Sequence, residues 1–182
     1  MTITTPDGQA TLSNPLYAYT FLDAPEKNGI PLGTSGLPTP VETVRYWDPD
    51  LQQSNQTAAN ATLLAQANNI RSYVYNMLTV AEDYSKFSYA ASSADGGGHN
   101  IEYLHGGIHV AVGGTVNGGG TMTWLPVAAF DPSFYLHHAN VDRLIAMWQA
   151  LNPDSYIVPT ANAGSGSYYE LSGTLDSGNS ST

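Results

Sequence analysis

The 182-residue sequence predicts a mainly α-helical fold joined by long irregular loops. Three observations predict it. Leu63, Ala67, Ile70, Val74, Met77, Leu78 and Ala81 recur at helical spacing between about residues 57 and 84. The stretch FDPSFYLHHANVDRLIAMWQ, residues 130–149, opens on Asp131-Pro132 and stops at Asn152-Pro153. Between them, IEYLHGGIHV at 101–110 carries two histidines four residues apart. The boundaries that follow are an irregular lead-in at 1–56, a helical core at 57–152 and a polar tail at 153–182.

Residues 1–40 are rich in Pro, Gly and Thr and show no helical period, with short extended pieces such as 15–21. The stripe at 57–84 predicts the longest helix, and its lack of histidine marks it as packing surface. Residues 85–98 read as a loop that turns glycine-rich at 95–98, leaving His99 exposed or cap-associated ahead of the next helix. The glycines at 113–120 form a second loop, and 122–129 return the chain to the last helix, so this loop is expected to rim a site. No Lys-Ser or Lys-Thr follows these glycines, which excludes a phosphate-cradling loop. Asp131 caps orphan N–H groups while Pro132 suits the first helical position. No internal repeat is visible, and the end of the chain is polar with Tyr168-Tyr169 near it.

Composition removes several function classes. The net charge is −10 with only five Lys and Arg, which argues against nucleic acid, since phosphate binding needs clustered cations. No apolar run reaches membrane-spanning length, and the polar start is no signal peptide. There are no cysteines, and sequons at Asn55, Asn60 and Asn179 suit a secreted glycoprotein without establishing one, so secreted and intracellular settings both stay open.

The chemistry lies in the histidines. Four of the five fall in two short helical segments. On a helix His105 and His109 stand about 6 Å apart along one face, close enough to share an ion. His138 shares a face with Phe134 and with Asp142, a carboxylate one turn on that can orient an imidazole. Three imidazoles from two helices suit copper or zinc. Adjacent positions on a helix diverge by about 100°, so His137 reads as a buried hydrogen-bonding partner, and Arg143 as paired to a carboxylate or carbonyl. A zinc hydrolase of the HExxH kind needs a glutamate directly after the first histidine; that position is Gly106.

The HxxxH pair followed by DPxFxxHHxNVDRxxxxWQ resembles the second copper-binding half of the type-3 copper proteins, the tyrosinases, catechol oxidases and hemocyanins. The likeness is strongest to fungal polyphenol oxidases, spans roughly 12–170 and is densest over 99–149. The resemblance implies a helical bundle enclosing two coppers, with this chain supplying the helices around His105 and His138 and packing 57–84 outside them. It implies His105, His109 and His138 as ligands of one copper, and Phe134 as the aromatic against His138. Leu125 falls where the family sets a bulky gate, and Glu102 matches an acid that holds a water. Gly106 stands where good monophenol hydroxylases place Asn or Asp. The implied reaction is oxidation of small o-diphenols to o-quinones by dioxygen.

Residues 1–98 hold no histidine, so the first copper's ligands are missing from this reading. The expectation is half of a copper domain, completed by an upstream half or by a second copy of the chain. It would be a truncated or processed piece, or a naturally short relative. A mononuclear copper-binding or oxygen-carrier-like module without oxidase activity is the alternative.

Overall fold

The computed structural model describes residues 2–11, 14–21, 42–48, 50, 53–88, 100–116 and 119–155. Four helices dominate them: α1 (Gln56–Val80), α2 (Tyr84–Ser88), α3 (Ile101–Gly113) and α4 (Pro132–Leu151). His99 and the tail beyond 155 lie outside the described residues.

The lead-in carries more regular structure than its composition suggests. Strands β1 (Thr2–Thr5) and β2 (Gly8–Thr11) pair antiparallel from Thr2↔Thr11 to Thr5↔Gly8. The turn is Pro6-Asp7-Gly8, with Gly8 at φ +120°, a conformation only glycine adopts freely. A second ladder joins β3 (Trp47–Asp48) to β4 (Gln53–Ser54).

Asn55 then caps α1. Its Oδ1 accepts from Ala58 N at 2.9 Å and its Nδ2 donates to Asp48 Oδ2 at 3.1 Å, so both ends of this sequon amide are engaged. The helical stripe expected over 57–84 is broken in two. α1 ends at Val80, and Ala81 turns extended with its carbonyl accepting the buried Trp148 Nε1–H at 2.6 Å. Asp83 starts α2 as its cap, Oδ1 accepting from Ser85 Oγ at 2.6 Å and Lys86 N at 2.9 Å. The Ser85 hydrogen bond, then the Lys86 backbone bond, hold the Asp83 carboxyl below its usual pKa.

Met77, Ala81, Phe87, Ile101, Leu104, Leu144 and Trp148 form the buried core. Trp148 stacks on Phe87 with ring centroids 4.4 Å apart. This core grips the start of α3 and the end of α4. Because His109 meets Phe134 at the other end, the two helices run antiparallel, and their histidine-bearing turns lie side by side.

The segment 42–48 straps this pair. Val44 N donates to Thr121 Oγ1 at 2.8 Å and Thr121 N to Val44 O at 2.7 Å. Thr43 N donates to Tyr19 O at 2.8 Å, and Arg45 pairs with Asp131 at the head of α4.

Candidate metal centre

Each ligand candidate is placed by a capped helix. Asn100 Oδ1 accepts from Tyr103 N at 2.8 Å and starts α3, setting His105 and His109 on one face with ring centroids 4.6 Å apart. Asp131 Oδ1 accepts from Ser133 N at 2.8 Å and starts α4, which carries His138 across to them. His138 Nε2 stands 3.2 Å from His105 Nε2 and 3.2 Å from His109 Nε2.

Those distances test the fit of a metal ion. Two nitrogens each about 2.0 Å from one ion, at a near-tetrahedral angle, lie about 3.3 Å apart. The protonation states point the same way. His109 Nδ1 lies 2.7 Å from the Met122 carbonyl, which can only accept, so the Nδ1 proton is spent there. In its neutral form His109 then turns a lone pair towards His138, and a single proton on His138 Nε2 satisfies at most one of its two neighbours. A cation satisfies all three. Phe134 fixes the third ring, stacked on His138 at 3.8 Å and 24°.

The Met122 carbonyl reaches His109 because the glycine loop folds back on the end of α3. Gly114 takes φ +76° at the C-cap, Gly120 N donates to Gly113 O at 2.7 Å, and Thr123 Oγ1 donates to Gly114 O at 2.7 Å. A Cβ on Gly113 would collide with Thr123, so the loop lies as close as glycine permits.

Burial disfavours charge on His105, His137 and His138. His105 and His138 titrate below the usual imidazole range, chiefly because burial disfavours their charged forms and secondly because His109 would repel them. His137 is pushed down to about 4, by burial first and then by His109 and His105. Its Nε2 lies 3.1 Å from the His105 carbonyl, to which it donates, and its ring stacks parallel to His105. Together the four histidines place one nitrogen each within 4.8 Å of one another.

The other sequence-selected residues are placed as follows. Glu102 is exposed on α3 and its charge favours the protonated form of His105. Gly106 faces open space where a side chain would go. Leu125, in the turn between the Thr121–Thr123 and Ala128–Phe130 helical turns, is 80% exposed. Asp142 is exposed and reaches His138 through its charge, without the orienting hydrogen bond expected of it. Arg143 is exposed and makes no ion pair among the described residues. Two contributors escaped the sequence reading: the Met122 carbonyl, since any residue type supplies one, and Arg45, which lies 86 residues from its partner.

The sequence and fold are similar to those of known proteins. The family model described as the common central domain of tyrosinase matches residues 1–151. A tyrosinase of Podospora anserina is 35% identical over 84% of the chain, which spans 26% of that protein's length. The structure of recombinant mushroom tyrosinase superposes with a TM-score of 0.72 at 38% identity, covering 86% of this chain and 27% of that one. An active, copper-bound Aspergillus oryzae tyrosinase superposes with a TM-score of 0.67 at 25% identity, covering 84% and 45%. Matched across its helices and both histidine segments, the chain belongs to the tyrosinase family.

Proposed function

We propose that this chain provides one copper site of a type-3 polyphenol oxidase, which oxidises o-diphenols to o-quinones with dioxygen. The observation that carries the reading is the convergence of His105 Nε2 and His109 Nε2 on His138 Nε2, each at 3.2 Å. The copper-bound Aspergillus oryzae relative, with the same fold, supports copper as the ion. Copper, when bound, supplies reversible one-electron chemistry.

The residues around it supply the rest. Met122 O holds the His109 tautomer and Phe134 holds the His138 plane, so the ligands wait in place before the ion arrives. The depressed imidazole pKa values keep lone pairs available in mildly acidic solution. Glu102 serves as the acid that orients a water, and Leu125 as the gate over the phenol. Gly106 offers no side chain to help draw a proton from a monophenol, which favours diphenols as substrates.

The four clustered histidines complete one three-ligand set with His137 held aside. A second copper then takes its imidazoles from another polypeptide segment or from a second copy of this chain. A two-fold pair would set two such clusters face to face.

Copper loading followed by catechol turnover tests this. One copper per chain, with oxidation wherever a second histidine set is present, is the expected result. Copper uptake with no oxidation in any assembly points to the mononuclear module, and reversible oxygen binding without turnover to a carrier. Failure to take up copper overturns the reading.

A further inference from the structure

We infer that Arg45 is a positioning residue of the metal centre, its guanidinium fork on Asp131 setting the first turn of α4 and, through Phe134, the plane of the His138 ring. The inference rests on the reading of His138 as a ligand. Asp131 is a helix cap with no solvent exposure. A cap needs one acceptor, yet this carboxylate receives a full set of donors. Arg45 Nε lies 3.1 Å from Oδ1 and 3.0 Å from Oδ2, and Nη2 lies 2.7 Å from Oδ1. Ser133 adds its N–H at 2.8 Å and its hydroxyl at 2.7 Å, both on Oδ1.

Arg45 is itself anchored. Its Nη2 also donates to Leu16 O at 2.8 Å, its backbone N donates to Ser54 Oγ at 3.1 Å, and its carbonyl accepts from Asn55 N at 3.0 Å. The start of α4 therefore cannot turn about its axis without breaking a planar, multidentate pair. Phe134 N closes the first α4 turn on Asp131 O at 2.9 Å, and its ring lies 3.8 Å from that of His138. A chain of rigid contacts thus leads from the strap to the ligand. Lysine in place of Arg45 would keep the charge and lose the fork.

The test compares Arg45→Met, Arg45→Lys and Asp131→Asn with Trp148→Phe, a change in the core away from the first turn of α4. Two readouts are used: the ring-proton NMR shifts of His138 in the metal-free chain, which report the Phe134 stack, and copper(II) affinity with its EPR signature. Arg45→Met is expected to move the His138 ring protons towards their Phe134→Leu positions, alter the copper EPR spectrum and weaken copper about tenfold or more. Arg45→Lys and Asp131→Asn should fall between it and the parent, and Trp148→Phe should lower the melting temperature and leave both readouts alone. Wild-type ring shifts and EPR in Arg45→Met, or equal losses in Trp148→Phe, would show a structural role only and overturn the inference. The metal-free shifts decide it even if the parent chain takes up no copper, a result that would instead count against His138 as a ligand.

Discussion

His109 Nδ1 donates to the Met122 carbonyl 2.7 Å away, which turns its other nitrogen inward towards His138. Burial first, and then repulsion among the neighbouring imidazoles, disfavours the charged forms of His105, His137 and His138. His137 shows the largest effect, with a folded pKa of about 4 against an ordinary 6.5. A depressed folded value means the unfolded chain binds the proton first. The stability involved is fully present above about pH 6.5 and is lost as pH falls towards about 4. Melting temperatures of the metal-free chain should therefore be level above neutrality and drop across that window, and His137→Gln should shrink the drop. Gly106 offers a second residue-scale prediction. A side chain there meets open space, so Gly106→Asn is accommodated, and in the complete oxidase it should raise monophenol relative to diphenol turnover several-fold. An unchanged ratio of rates on tyrosine and on the matching catechol would remove Gly106 from the account.

Helices and loops turn these residues into a site. α3 and α4 were legible because their periodicity and histidine spacing are local. Asp131 announces the start of α4 and Asn152 follows its end, whereas the Asn100 cap of α3 emerges only in the structure. The break after Val80 was not legible from the apolar stripe, because Ala81 leaves the helix to serve a tryptophan 67 residues away. The Asp83 cap and the Pro-Asp-Gly turn of the first hairpin are local signs that the sequence analysis did not use. At the site, the ligand set and the Phe134 stack could be proposed in advance, whereas two other parts that orient the ligands could not. Met122 acts through its backbone, and Arg45 reaches Asp131 only once the strap is folded. The glycine loop yields the prediction proper to this scale. Gly113→Ala forces Thr123 away from the end of α3, at a cost of about 1–3 kcal/mol by overpacking. It should also draw Met122 O off His109, so copper affinity should fall together with stability. Loss of stability with full affinity would show that the carbonyl is dispensable.

Across the whole molecule, the core at one end of α3 and α4 leaves the histidine end lined by partly exposed groups. Tyr135 and Leu136 of α4, beside the histidines, are exposed, as is Leu125. Soluble monomers rarely leave large apolar patches open, and the expected partner half would cover these side chains. Light scattering on the purified chain is expected to show self-association or a bound second polypeptide, and the lone chain to be silent towards catechol. A compact monomer that turns catechol over would contradict the half-site reading. The central claim concerns the cluster itself and can be tested without turnover. Copper bound per chain should be measured for the parent and for single alanine substitutions of His105, His109, His137 and His138, with folding checked by circular dichroism. The account predicts about one copper for the parent and for His137→Ala, and most of the affinity lost in each of the other three. Full copper retention in His138→Ala, or its loss in His137→Ala alone, would contradict it.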